Sequence, residues 1–227
     1  MLYNETAVRE NLRNREGKRV FYLGKGDNLT SGARDYLARE RIEILPAEAA
    51  KPDAYRLLSG GLLTEKPEHM THLHGNVLVE KTHPRIAFRG AVDNLEGWLL
   101  LTQQQCPAYL GDLSEILNLA RTLIRADVLN EPLPEGKLCG LSQKEIRERS
   151  HRPQDFYGVP HFMPSAADGT VMIWLNLCRS VARQTELAAA GAFTDENGCC
   201  TRPDILKALN RTSSMLYLLM IREKAKK

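Results

Sequence analysis

Long hydrophobic runs are missing from this sequence. None of its 227 residues lies in an apolar stretch long enough to cross a bilayer, since a spanning helix needs about 20 such residues. Net charge is nearly missing too: 31 Lys and Arg against 28 Asp and Glu leave +3, too little to gather nucleic acid by bulk attraction. Cysteines are few, odd in number and scattered (Cys106, Cys139, Cys178, Cys199 and Cys200), with no C-x-x-C spacing. That argues against a disulfide framework and against a structural zinc site of the usual kind, and it fits reduced thiols in a cytoplasmic protein. The opening residues, MLYNETAVRENLRNREGKRV, are charged and polar, so no signal peptide is expected. Internal repeats are absent, and the basic tail Arg222–Lys227 is the one biased segment. What remains, 43% hydrophobic and 26% charged, is the composition of an ordinary globular chain.

Two halves read differently. Up to about residue 50 the chain resembles a small α/β module: Lys18–Leu23 is a strand candidate, and Gly24–Asn28 has turn chemistry. Thr30 or Ser31 can cap a helix near 32–40, and Ile42–Leu45 offers a second strand. Residues 51–71, with Gly60–Gly61 and Pro67, show little pattern and are expected to link the module to a helical domain over 72–227. Helical periodicity predicts segments near 85–105, 109–128, 142–150, 167–190 and 202–222. Thr201 is the expected cap of the last, with Pro203 and Asp204 in its first turn. The Pro- and Gly-rich stretches NEPLPEGKLCG and HRPQDFYGVPHFMPSAADG are expected to be extended loops at an end of the bundle. The predicted fold is mainly α, a helical bundle with a small N-terminal α/β module.

The charges on the apolar helices carry the functional signal. From Arg85 to Cys106 they are Arg85, Arg89, Asp93 and Glu96, spaced four, four and three. At about 100° per residue all four fall on one stripe. From Val171 to Ala190 the charges are Arg179, Arg183 and Glu186, again on one stripe, and the last helix sets Asn210–Arg211 amid ILKALNRTSSMLYLLMI. Each stripe alone reads as a solvated face. Three of them, each centred on Arg, point instead to a shared anion site between helices, because a buried guanidinium needs partners and its fork suits phosphate or carboxylate oxygens.

At these residues the sequence resembles the corrinoid (cobalamin) adenosyltransferases of the PduO type, and more closely their ethanolamine-utilisation branch. The matching stretches are KPEHMTHLHGNVLVEKTHPRIAFRGAVDNLE, LARTLIRADVLNEPL, GLSQKEIRERSHRP, CRSVARQTE and RPDILKALNRTSSMLYLLMI. The resemblance implies a helical bundle that binds ATP between subunits of a homo-oligomer, usually a trimer. It also implies transfer of the 5′-deoxyadenosyl group to cob(I)alamin, with Mg²⁺ accompanying ATP and triphosphate released. By family position Lys81 and Arg85 would contact phosphates, and Arg179 and Arg183 the triphosphate. Glu186 and Asn210 would contact the nucleoside, Arg183 and Glu186 being the catalytic pair, and Phe162 would sit beside the corrin. A cytoplasmic protein is implied, in some cases associated with a metabolic microcompartment, with neither nucleic acid nor membrane as partner.

The sequence departs from that pattern in several places. No Thr- and Gly-rich N-terminal phosphate loop is evident, and GKGDNLT reads as a turn. Leu187 stands where the family has the final Arg of an Arg-Arg-Ala-Glu-Arg segment, Ser214 and His83 stand where it has Asp, and the branch's Cys-rich metal cluster is missing from residues 46–70. No transition metal is therefore expected, and His69, His72 and His74 read as surface or subunit-contact residues. Trp98 and Trp174 read as core. The departures also motivate the alternative of a non-catalytic corrinoid and ATP carrier or sensor, and a second alternative, an ATP-binding assembly protein docked through its N-terminal module.

Overall fold

The computed structural model describes residues 1–15, 17–47 and 54–226. The expected domain boundary at residues 50 and 51 lies outside the described residues, as does Lys227 of the basic tail. Packing divides the chain into two units, Met1–Glu80 and Lys81–Lys227.

The first unit runs β1 (Leu2–Tyr3), α1 (Glu5–Glu10), β2 (Arg13–Arg15), β3 (Lys18–Leu23), β4 (Asn28–Leu29), α2 (Ser31–Arg39) and β5 (Glu43–Pro46). β3 and β5 are parallel, joined through α2, while β2 pairs antiparallel with β3. Thr30 is the residue that caps α2, its Oγ1 accepting from the Ala33 N–H at 3.3 Å. Val8, Phe21, Ala33, Tyr36 and Leu37 bury against one another and hold this α/β piece together. The Gly24–Asn28 stretch is a turn closed by Asp27 N donating to Gly24 O at 3.0 Å.

Further along the same unit, strands run through the expected linker and into the stretch from residue 72 expected to be helical. β6 (Tyr55–Leu57), β7 (Leu62–Leu63), β8 (Met70–His74) and β9 (Val77–Glu80) form a sheet in the order β7-β6-β9-β8. Strands of two to five residues are too short to display alternation, and Gly60 (φ +90°) and Gly75 (φ +50°) turn the chain between them. Gly60–Gly61 and Pro67 are what make residues 51–71 read as linker. His72 stands edge-on to Tyr55 at 5.7 Å, and a register shift separates it from His74.

The second unit is the helical bundle: α3 (Pro84–Gln105), α4 (Leu110–Leu129), α5 (Gln143–His151), α6 (Pro153–Tyr157), α7 (Thr170–Phe193) and α8 (Pro203–Lys224). Leu95, Leu99, Leu113, Ile116, Leu175, Cys178, Leu216 and Leu219 supply its fully or nearly fully buried core. α3 and α7 run antiparallel, with the Thr185 hydroxyl donating to Ala91 O at 3.1 Å and Cys178 Sγ lying 3.5 Å from Trp98 O. Trp98 and Trp174 pack on the core with ring centroids 6.2 Å apart. Of the two long loops, the second is partly helical, holding α6 and a 3₁₀ turn at Ala166–Asp168.

The start of α8 corrects the expected cap. The Thr201 hydroxyl donates to Phe193 O at 3.0 Å and does not cap the helix. Arg202 forks onto Asp204 (2.8 and 3.0 Å) and donates to Ala126 O and Glu131 O, while Asp204 accepts from Leu133 N at 2.9 Å. The guanidinium holds the Asp204 carboxyl down to about 2. This knot ties the loop after α4 to the beginning of α8.

Candidate active site

Arg179 and Arg183 are one turn apart on α7, and Asn210, Ser214 and Tyr217 lie on one stripe of α8. These two helices, with His161, Phe162 and Met163 from the loop before α7, line an open cleft of about 750 Å³. Glu186, a further turn along α7, is bound to it through Asn210, whose Nδ2 donates to Glu186 Oε1 at 2.9 Å. Four of the predicted residues therefore share one cleft, and a fifth is hydrogen-bonded to its wall.

The arginines in the cleft are not neutralised. Neither Arg179 nor Arg183 has a carboxylate partner among the described residues. Burial, and then the charge of Arg183, push the Arg179 guanidinium below its ordinary value; Tyr217 opposes them. The Arg179 guanidinium sits over the Tyr217 ring, 5.4 Å from its centroid. The Tyr217 hydroxyl meets His161 Nδ1 at 3.0 Å, and its ring lies 5.9 Å from that of Phe162. One tyrosine thus touches both the cationic wall and the aromatic loop. That loop is anchored from α8: Lys224 Nζ binds Asp168 and lies 5.4 Å from the Phe162 ring centroid. Lys224 first, and the Ser165 backbone N–H next, hold the Asp168 carboxyl at about 2.

The three arginine seams do not converge on one site. On α3, Arg85 donates from Nε and Nη2 to Asp127 at 2.8 Å and 2.7 Å, and Arg89 Nε donates to the other oxygen at 2.6 Å. Asp127 is fully buried, so these guanidinia are chiefly structural ties between α3 and α4. Glu96 pairs with Arg121 of α4 at 3.0 Å, and Asp93 is exposed. Lys81 is exposed at the head of the second unit, and neither it nor Arg85 lines the cleft. On α8, Arg211 faces away from the cleft into a different cavity. The structure thus brings α7 and Asn210 together at one cleft, and sets Arg211 at another cavity and Arg85 against Asp127.

Sequence reasoning missed Asp127, His161, Asp168, Tyr217 and Lys224. Tyr217 was within reach, because it follows Asn210 and Ser214 at steps of four and three. Asp127 was within reach too, as an acid on the apolar stripe of α4 marked by Leu113, Ile116, Ala120 and Leu123. The loop–helix contact of Asp168 with Lys224 has no local signature. Among the described residues no group of three or more His, Cys, Asp or Glu side chains converges as a metal site.

Comparison with known proteins decides the lineage. The sequence model of the family described as cobalamin adenosyltransferase matches residues 62–223. The chain belongs to the cobalamin adenosyltransferase family. Corrinoid adenosyltransferase EutT of Salmonella typhimurium is 32% identical over 249 residues, covering 98% of this chain and 92% of the relative. EutT of Escherichia coli K12 is 36% identical over 163 residues, covering 70% of this chain and 60% of that relative. Two solved variants of a PduO-type ATP:corrinoid adenosyltransferase from Lactobacillus reuteri, each complexed with cobalamin and ATP, share the fold. Their TM-scores are 0.53 and 0.54 at 19% and 18% identity, covering 70% of this chain and 91% and 88% of theirs. The family match begins inside the β6–β9 sheet, so this adenosyltransferase shares with its family both the bundle and part of the stretch before it.

Proposed function

We propose that this adenosyltransferase moves the 5′-deoxyadenosyl group of ATP onto cob(I)alamin and releases triphosphate, making adenosylcobalamin for ethanolamine degradation. One observation carries the assignment of roles: a single cleft joins two unneutralised arginines to an aromatic-walled loop. Co(I) is itself the nucleophile. Its electron pair forms the Co–C5′ bond while the C5′–O bond breaks, and the pair from that bond leaves on the triphosphate. The protein has to align the reactants and receive the departing negative charge.

Arg179 and Arg183 would take the triphosphate, and the Asn210–Glu186 pair would hold the nucleoside. Phe162 would face the corrin and displace its lower ligand, favouring reduction to Co(I). Mg²⁺ would travel with ATP, offsetting the charge of its phosphates and needing few protein ligands. Lys81 and Arg85, off this cleft, are assigned to the phosphates of a neighbouring subunit's ATP in a homo-oligomer, with a trimer favoured. Arg85 could serve there because its bonds to Asp127 use Nε and Nη2, leaving Nη1 free to donate. A cytoplasmic location, with association to a microcompartment, follows from the ethanolamine reading.

Leu187, 73% exposed on α7 where the family has Arg, favours a second reading as a corrinoid and ATP carrier without turnover. Anaerobic incubation with reduced cobalamin and Mg·ATP separates the two. Transfer predicts loss of the Co(I) absorption together with one triphosphate per adenosylcobalamin. Tight binding of both substrates with neither change would establish the carrier. Light scattering of the same preparation reads the oligomeric state, and a monomer that remains active would remove the shared-site assignment of Lys81 and Arg85.

A further inference from the structure

α8 separates two hollows. Asn210 lines the cleft on one side, and the next residue, Arg211, lines a cavity of about 280 Å³ between α4, α5, α8 and the loop over residues 130–141. The proposed reaction makes no use of this second cavity.

Two of its groups lack what their burial demands. Arg211 is half-buried and has no hydrogen-bond or ion-pair partner among the described residues. Burial, then Arg147, push its guanidinium below the ordinary value, and Glu186 opposes them. Gln143 Oε1 is buried with no hydrogen-bond partner, in a setting where the great majority of polar atoms are paired. The capping of α5 does not use it, since that is completed by Ser142 and Glu145. Much of the remaining wall is apolar, from Leu119, Leu133 and Ile146, and exposed Lys137 adds a second cation. Glu115 also lines the cavity, but its carboxylate accepts from the Cys139 N–H at 2.6 Å. The Arg202–Asp204 knot fixes the loop wall through Leu133. Such a cavity offers two cations and the unpaired Gln143 oxygen beside an apolar wall.

We propose that this cavity binds a small organic carboxylate bearing an amide or hydroxyl donor on an apolar body. The carboxylate would take the Arg211 fork with Lys137 beside it, the donor would satisfy Gln143 Oε1, and the body would cover Leu119, Leu133 and Ile146. The volume lies just under the range of drug-sized sites, so the ligand is smaller than a nucleotide.

N-acetylleucine, with all three features, is a suitable probe, and saturation-transfer NMR on the full chain reads its binding. Saturable binding is expected at concentrations up to about 10 mM. 4-Methylpentanoate, which lacks the N–H, should bind several-fold more weakly, and the methyl ester of the probe, which lacks the charge, about tenfold more weakly. Arg211→Met should abolish binding and Gln143→Leu weaken it, whereas Arg183→Ala and saturating ATP should leave it intact. Lack of saturable binding, equal affinity for all three compounds, or competition by ATP would each overturn the proposal, the last by moving the probe into the cleft. If Arg211→Met fails to fold by circular dichroism, the ligand series on the unaltered protein and the Gln143→Leu variant decide the matter.

Discussion

Two helices of this bundle carry the same motif, a pair of arginines four residues apart on an otherwise apolar stretch, and use it in opposite ways. On α3, Arg85 and Arg89 close on the fully buried Asp127 and bind α3 to α4. On α7, Arg179 and Arg183 face an open cleft with no carboxylate among the described residues to answer them, and Arg179 rests on the Tyr217 ring. Spacing alone sets the stripe. Whether the stripe is structure or site depends on one residue of the facing helix, an aspartate in α4 or a tyrosine in α8.

The contrast can be broken at its strongest point. Asp127→Ala would remove the buried carboxylate that both guanidinia share. Removing one partner of a buried pair costs about 3–5 kcal/mol, so the urea midpoint should fall sharply. Replacing Asp127, Arg85 and Arg89 together by Leu and Met should recover much of that loss, because an apolar substitute for a buried ion pair is often neutral. A loss under about 1 kcal/mol in Asp127→Ala would reduce the α3 seam to an ordinary surface pair.

Arg183→Ala should do the reverse. Arg183 is exposed, so stability should stay within about 0.5 kcal/mol. Adenosyl transfer should fall by about tenfold or more, the worth of a charge-assisted bidentate contact, and Arg183→Lys should rescue it poorly for want of the fork. Unchanged single-turnover rates in a folded Arg183→Ala protein would remove it from the site.

The sequence reached the helices and the cleft's α7 wall because both are periodic over many residues. It did not reach the division of labour among the seams. Nothing within α3 announces that Asp127, 42 and 38 residues on, will take both of its arginines. Residues 51–71 read as linker, and the chain from residue 72 as helical, because the strands over 55–80 are short and broken by glycine. The first long loop stayed a loop as expected, whereas α6 and the Asp168 turn needed tertiary contacts such as that of Asp168 with Lys224.

Two smaller effects sharpen the cleft side of the comparison. Phe162→Ala should slow turnover started from Co(II) by several-fold more than turnover started from Co(I), if the ring serves to displace the lower ligand. Equal losses in stopped-flow assays from both starting states would make Phe162 a packing residue. The loop's anchor predicts a modest acid dependence. The Asp168 pKa is depressed from its ordinary value of 3.8 to about 2, so its contribution to stability is complete above the ordinary value and is lost as pH falls through about 2. Unfolding free energies measured from pH 5 to pH 2 should show this slope. Lys224→Met, which removes the largest cause of the depression, should flatten it, and an unchanged slope would show that Ser165, through its N–H and hydroxyl, holds the carboxylate without Lys224.

Asn210 and Arg211 are neighbours in sequence that open onto different hollows, and this fixes α8 in a way that substitutions do not test. Inserting one residue near Lys207 would turn everything after it by about 100°. Asn210 would leave Glu186 and Arg211 would leave its cavity in the same step, and the buried Leu216 and Leu219 would swing off the core. Changes of residue type can be absorbed singly in this helix, whereas a change of length would disturb the cleft, the second cavity and the core together. A deletion scan across Pro203–Lys224 should therefore find no tolerated position ahead of Asn210.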